Sequence, residues 1–135
     1  MEVNRPDELR RATQGVVDVA DVRLVVVFGS VARGQARPDS DVDVGILGGG
    51  FWPQLELGSR VAARLHREPH VVDLAEAGEL LRFEVARDGI CIFDKDDAWP
   101  RFQAQAMIAY WDFAPLLKLC TDSARQRLRK EAGLG

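Results

Sequence analysis

This 135-residue sequence has no long hydrophobic run, no excess of positive charge and only two cysteines. Its most apolar stretch, Leu24 to Phe28, has the length of a strand and falls far short of the roughly 20 residues that a membrane-crossing helix needs. The beginning of the chain mixes acidic and basic residues without an apolar segment, which argues against a signal peptide. We therefore expect a cytoplasmic protein that does not interact with membranes.

Two cysteines exclude a disulfide scaffold. Cys91 and Cys120 lie in apolar settings and are predicted to be small core residues with reduced thiols. The chain carries 18 Lys and Arg against 21 Asp and Glu, a net charge of −3. It therefore offers no basic surface as a whole, and direct binding of nucleic acid is not expected.

Strand-type and helix-type patterns alternate along the chain, which indicates an α/β or α+β domain with a small mixed central sheet flanked by helices. Predicted helices cover residues 6–19, 31–33, 52–67, 78–88 and 98–129, and predicted strands cover 22–28, 41–47, 70–74 and 90–93. The length suits one domain, 1–135. Pro115 should kink the long last helix or divide it into two.

A phosphate-binding turn is predicted where the apolar strand 22–28 ends. Gly29 follows this strand, and Ser30 opens a short helix. A helix start presents unpaired backbone N–H groups that can bind phosphate, and a glycine lets the phosphate approach the backbone closely. The Ser30 hydroxyl adds a donor. Arg33 and Arg37 follow in the connecting segment, and either could bind phosphate electrostatically.

Two aspartates follow this turn after ten intervening residues. Asp41 and Asp43 are two positions apart on a predicted strand, so their side chains share one face, with Cα atoms about 7 Å apart. Two such carboxylates repel each other unless a cation lies between them, and oxygen ligands suit Mg²⁺. Asp73, in the third predicted strand, is the candidate for a third carboxylate. Each half of this pattern alone would also fit a plain turn or solvated acids, and the combination is far more specific.

Residues 25–47, VVVFGSVARGQARPDSDVDVGIL, resemble the signature of the DNA polymerase β-like nucleotidyltransferase superfamily. More narrowly, the chain resembles the minimal nucleotidyltransferase (MNT, MntA-type) antitoxins of HEPN/MNT toxin–antitoxin systems. Residues 80–93, LLRFEVARDGICIF, and the later AYWDFAP are similar to the antitoxin pattern. The resemblance implies the polymerase β-like fold, with a catalytic core over 1–96 and a C-terminal helical element over 97–130.

The resemblance also implies an activity and a partner. It makes the chain a Mg²⁺-dependent protein adenylyltransferase that moves AMP from ATP to a tyrosine hydroxyl of a cognate HEPN toxin RNase, with which it forms a hetero-oligomer. Gly29, Ser30 and Arg33 would bind the nucleotide. The catalytic residues, which also hold two Mg²⁺ ions, would be Asp41, Asp43 and Asp73.

Two other functions remain open at the level of the sequence. The chain could neutralise its partner by contact alone, as a non-catalytic binding module. It could also transfer a nucleotide to a small-molecule hydroxyl, although 135 residues leave little material for a separate substrate domain. For docking on a toxin partner, the last helix is the expected element, with Trp99 and Trp111 as the preferred contact residues because aromatic side chains are enriched in interfaces.

Overall fold

A computed structural model describes residues 6–19, 21–35, 37 and 40–131. The elements in chain order are α1 (Pro6–Val19), β1 (Val22–Phe28), α2 (Gly29–Ala32), β2 (Val42–Gly48), α3 (Phe51–Leu65), β3 (Pro69–Asp73), α4 (Glu79–Asp88), β4 (Ile90–Asp94) and α5 (Ala98–Glu131). The predicted order of helices and strands is confirmed, with most boundaries shifted by one or two residues.

Within the described residues, the four strands form one mixed sheet in the order β3-β2-β1-β4. β1 pairs with β2 and with β4 in antiparallel fashion, and β2 pairs with β3 in parallel. The two central strands are the most apolar, because side chains on both of their faces are covered by helices. The predicted fold class, a small mixed sheet flanked by helices, is confirmed.

Helices cover the two faces of the sheet and enclose two separate hydrophobic clusters. On one face, α1 and α3 pack on the sheet through buried residues that include Val16, Leu57 and Val61. On the other face, α4 and α5 pack through Val85, Phe102 and Ala106. Alternate residues of β2 serve the two faces, so the face on which a strand residue lies decides which helices it meets.

The last helix differs from expectation. α5 runs unbroken from Ala98 to Glu131, so Pro115 does not divide it into two helices. A proline in a helix interior removes one backbone hydrogen bond, and a long helix can tolerate that loss without ending. The core position predicted for Cys120 concerns a side chain outside those that the structure describes. Cys91 is half-buried, and burial raises the pKa of its thiol to about 11.

The two tryptophans named as contact residues are placed differently. Trp99 packs against the α4–α5 cluster and stacks on Phe102, with ring centroids 6.0 Å apart. Trp111 is 68% exposed, and Ile108 on the same helix is 59% exposed. Trp111 therefore remains available for a contact, whereas Trp99 belongs mainly to the core. In the part of the chain that is described, no helix combines the length and hydropathy that a membrane span requires.

Two leucines of α3 provide a test of the packing. Leu57 is fully buried between α3 and the sheet, whereas Leu55 is 56% exposed. We expect Leu57→Ala to lower the free energy of unfolding by about 2–5 kcal/mol, because it removes buried methyl groups and leaves a cavity. Leu55→Ala should change it by less than about 0.5 kcal/mol. Urea unfolding followed by circular dichroism measures both, and equal losses would contradict this packing.

Candidate active site

The turn after β1 brings the backbone against an acidic side chain. Gly29 has a φ of +73°, a conformation that side chains with a Cβ rarely adopt. A Cβ at this position would collide with Oδ2 of Asp43. Glycine is therefore required twice over, for its dihedral angle and for the space that the carboxylate occupies.

The antiparallel register of β1 and β2 produces this contact. Phe28, the last residue of β1, lies directly opposite Asp43. The neighbours Val42 and Val44 are buried towards α1 and α3, so Asp43 points to the opposite side of the sheet. Its side chain is 25% exposed. The carboxylate thus sits beside the Gly29 turn while water or a ligand can still reach it.

A cleft of about 310 Å³ opens at this turn. Its lining includes four of the residues predicted to act together, namely Gly29, Ser30, Arg33 and Asp43. Asp41 does not line the cleft. It is exposed and immediately precedes β2. Because side chains alternate along a strand, the side chain of Asp41 points to the same side of the sheet as that of Asp43. The predicted turn and Asp43 are therefore neighbours in space, and Asp41 lies two residues before Asp43 on the same side of the strand.

Two acidic residues of α4 also line the cleft and were not identified from the sequence. Glu84 and Asp88 are four residues apart, so they lie on one face of the helix. Arg87 donates to Asp88 from Nε at 3.1 Å and from Nη2 at 2.8 Å. These hydrogen bonds, with a smaller contribution from the charge of Arg33, lower the pKa of Asp88. In the segment 80–93, the four-residue spacing of Glu84 and Asp88 is the sequence signal that could have identified them.

The charge of the cleft follows from this lining. Among the described residues that line it, three carboxylates, those of Asp43, Glu84 and Asp88, face a single guanidinium, that of Arg33, and Arg87 pairs with Asp88 beside the lining. A polyphosphate entering such a cleft meets more negative than positive charge. Even with Asp88 paired to Arg87, this lining favours a polyphosphate that enters together with a cation.

Asp73 does not lie beside Asp43 and the Gly29 turn. In the parallel register it lies opposite Ile46, three positions beyond the pair formed by Asp43 and His70. Val71 packs on the α1–α3 side and Val72 on the α4–α5 side, so alternation gives Asp73 the face opposite to that of Asp43. Its Oδ1 accepts a hydrogen bond from the backbone N–H of Ala75 at 3.0 Å. Asp73 thus closes the turn after β3 and does not complete the aspartate pair.

Mg²⁺ is the cation that the aspartate pair suggests. Asp41 and Asp43 offer carboxylate oxygens from one side of β2, on the side of the Gly29 turn, and this donor set fits a hard divalent cation. Asp73 does not add a third carboxylate to this pair, because it lies on the other face of the sheet. Among the side chains that the structure describes, no three of the metal-ligating types His, Cys, Asp and Glu converge to hold a metal. The residues therefore fit a cation held by two carboxylates together with substrate oxygens.

A larger cleft, of about 510 Å³, lies elsewhere in the molecule, between the start of β1 and the start of α5. Its charged lining residues are Asp21, Arg23, Lys95, Asp96 and Arg101. It contains none of the residues of the Gly29 turn or of the aspartate pair. Chemistry, and not volume, therefore selects the smaller cleft as the candidate active site.

A comparison with protein families identifies the same segment. Residues 14–98 match the family model described as "Polymerase beta, Nucleotidyltransferase". The match covers more than half of the chain and includes Gly29, Ser30, Asp41 and Asp43.

Solved structures with a similar fold include toxin–antitoxin complexes. One chain of a toxin–antitoxin crystal structure with AMP-PNP has a TM-score of 0.75 at 18% identity, covering 90% of this chain and 98% of that chain. A chain of an MntA-HepT toxin–antitoxin structure has a TM-score of 0.69 at 17% identity, covering 93% and 99%. A third, tri-AMPylated Shewanella oneidensis HEPN toxin in complex with MNT antitoxin, has a TM-score of 0.69 at 17% identity, covering 90% and 99%. At these identities the likeness establishes the fold.

A curated relative is similar over part of its length. The probable cytosol aminopeptidase of Leifsonia xyli subsp. xyli is 40% identical over 86 residues, which are 57% of this chain and 17% of the aminopeptidase. The chain thus spans less than a fifth of that relative. The match relates this chain to one segment of a longer protein.

Two glycines with similar dihedral angles test the Gly29 contact. Gly29→Ala forces a Cβ against Asp43, whereas Gly34, with a φ of +70°, has no heavy atom within 4 Å of its added Cβ. Both variants should lose about 1–2 kcal/mol of stability through backbone strain. Only Gly29→Ala should also weaken Mg²⁺–ATP binding, by about tenfold or more, since it displaces a carboxylate that contributes ~1.4 kcal/mol. Calorimetric titration measures the binding, and equal affinities for the two variants would contradict the site.

Proposed function

The chain belongs to the polymerase beta nucleotidyltransferase family, and on that premise we propose that it transfers AMP from ATP to a tyrosine hydroxyl of a cognate HEPN toxin. The transfer silences the toxin, so the chain acts as an antitoxin within a hetero-oligomer. The observation that carries the proposal is the packing of the Asp43 carboxylate against the Gly29 turn at one cleft. The fold likeness to toxin–antitoxin structures, one with AMP-PNP and one with a tri-AMPylated toxin, supports the choice of acceptor.

ATP binds in this proposal with its triphosphate at the Gly29 turn. The absence of a side chain at Gly29 lets a phosphate approach the backbone, and the Ser30 hydroxyl donates to a phosphate oxygen. Arg33 is the one cation among the described residues that line the cleft, so it neutralises part of the phosphate charge. These three residues orient the α-phosphorus towards the open side of the cleft.

Asp41 and Asp43 would hold Mg²⁺ in this arrangement. When bound there, the ion neutralises phosphate charge and helps to orient the triphosphate for in-line displacement. The acidic lining of the cleft, with Glu84 and Asp88 opposite, disfavours the nucleotide without its cation. The two carboxylates therefore select the cation-bound form of ATP.

The transfer itself is a substitution at phosphorus. The oxygen of the acceptor hydroxyl forms a bond to the α-phosphorus, and the bond from that phosphorus to the oxygen bridging to the β-phosphate breaks. Pyrophosphate leaves with the bonding electrons, and the proton of the hydroxyl passes to water. We assign no role in this step to Asp73, whose strand position is on the other face of the sheet.

The exposed part of α5 is the contact that we propose for the toxin. Ile108 and Trp111 are three residues apart on this helix and are both largely exposed. Large exposed apolar side chains at this spacing form one helix face, which is typical of a partner contact. Of the two predicted contact residues the proposal uses Trp111 and not Trp99, which is partly buried against the α4–α5 cluster.

Removing either aspartate of the pair tests the proposed chemistry. Asp41→Asn and Asp43→Asn should each slow AMP transfer by about 100-fold or more, because each loses a ligand to an ion that contributes several kcal/mol to the transition state. Asp21→Asn, a matched change at an exposed carboxylate far from the cleft, should leave the rate unchanged. The measurement is transfer of label from α-labelled ATP to the HEPN toxin proposed as the partner.

Two results of that experiment contradict the proposal. If the wild type transfers no label while still inhibiting the toxin, the chain acts by contact alone. If it labels a small hydroxyl compound and ignores the toxin, the acceptor has been wrongly assigned.

Removal of the cation tests the charge of the cleft. ATP affinity should fall by about tenfold or more in EDTA, because like charges at ~4–8 Å each cost on the order of 1 kcal/mol. Glu84→Gln should recover part of that loss in EDTA and have a smaller effect in Mg²⁺, because it removes one negative charge from the lining. Fluorescence titration with a labelled ATP analogue measures both, and equal affinity with and without EDTA would contradict the account.

A further inference from the structure

A histidine lies beside the aspartate pair where a third carboxylate was expected. In the parallel register of β2 and β3, His70 is directly opposite Asp43. Its Nδ1 is 3.1 Å from Oδ1 of Asp43, and its side chain is 66% exposed. A carboxylate has no proton to give, so the imidazole N–H donates. His70 is thus the group of β3 that reaches the site.

The strand pattern of β3 explains why no carboxylate does so. The residues on the same face as Asp43 are His70, Val72 and Leu74, and the last two are packed into the α4–α5 cluster. Asp73 belongs to the other face and is held by the N–H of Ala75. β3 therefore offers the site an imidazole and apolar side chains.

The hydrogen bond from His70 sets the direction of the Asp43 carboxylate. Oδ1 faces the imidazole, while Oδ2 faces the position of a Cβ on Gly29. One oxygen is thus held from β3, and the other points at the turn that we propose for phosphate. Rotation of the carboxylate away from the turn would break the bond to His70.

We propose that His70 is a positioning residue, which directs Oδ2 of Asp43 towards the Gly29 turn, and that the site holds one divalent cation through Asp41 and Asp43. This proposal rests on the proposed nucleotide site and goes beyond it. It assigns a role to a residue outside the predicted set, and it replaces the expected three-carboxylate, two-ion site with a site of two carboxylates. His70 contacts the carboxylate of Asp43, and the atoms that hold the cation are the carboxylate oxygens of Asp41 and Asp43.

The test uses binding of Mn²⁺ alone to the whole chain, followed by electron paramagnetic resonance and calorimetry. The wild type should bind one Mn²⁺. His70→Ala should weaken the affinity by about tenfold, the usual effect of losing a group that orients a ligand, without changing the stoichiometry. His70→Asn, whose side-chain N–H can donate in place of Nδ1, should keep most of the affinity. Because His70 is exposed, none of these variants should shift the thermal unfolding midpoint appreciably.

A second pair of variants tests the number of ions. His70→Asp supplies a third carboxylate opposite Asp43, and it should raise the stoichiometry from one Mn²⁺ to two. Asp73→Ala should leave Mn²⁺ binding unchanged, since its carboxylate is on the other face. The proposal is overturned if the wild type binds no Mn²⁺ or two, if His70→Ala binds as tightly as the wild type, if Asp73→Ala loses an ion, or if spin-echo spectra show an imidazole nitrogen bound to Mn²⁺.

These readouts do not depend on the acceptor. If the Mn²⁺ results hold but no AMP reaches the toxin, the role of His70 stands and the proposed function fails. If AMP is transferred while His70→Ala binds Mn²⁺ normally, the proposed function stands and the role of His70 fails.

Discussion

The candidate site depends on the close approach between the backbone of Gly29 and the carboxylate of Asp43. The contact exists because β1 and β2 are antiparallel with Phe28 opposite Asp43, and because Gly29 carries no Cβ. The sheet that fixes this register is covered by helices on both faces, so a shift of one residue would turn Val42 and Val44 out of the core. The hydrophobic packing thus holds an acidic side chain at a turn suited to phosphate.

The features that could be predicted from the sequence are those encoded locally. The apolar run 22–28 predicts a strand buried on both faces, and the alternation from Asp41 to Ile46 predicts a strand with acidic residues on one face. Gly29 and Ser30 could be identified because a turn between a buried strand and a helix restricts residue type. Of the two effects predicted for Pro115, a kink or a division of the last helix, the division is wrong because α5 continues past it, and a local proline signal does not reveal whether a long helix ends there.

The features that could not be predicted depend on which residues of distant strands and helices become neighbours. Asp73 was chosen because it is an acid within a strand, but the register of β2 and β3 and the alternation of β3 place it on the wrong face. The same register brings His70 to Asp43. Glu84 and Asp88 reach the cleft only because α4 packs across the end of β1. No local sequence pattern indicates that these residues become neighbours, because the register of the strands and the packing of α4 on the sheet determine it.

The most direct test of the account is a crystal structure of this chain with Mn²⁺ and a nonhydrolysable ATP analogue. The account predicts the triphosphate at Gly29 and Ser30, with anomalous density for one ion between the phosphates and the carboxylates of Asp41 and Asp43. A nucleotide bound elsewhere, for example beside Arg23 and Arg101, or an ion held by Asp73, would contradict it.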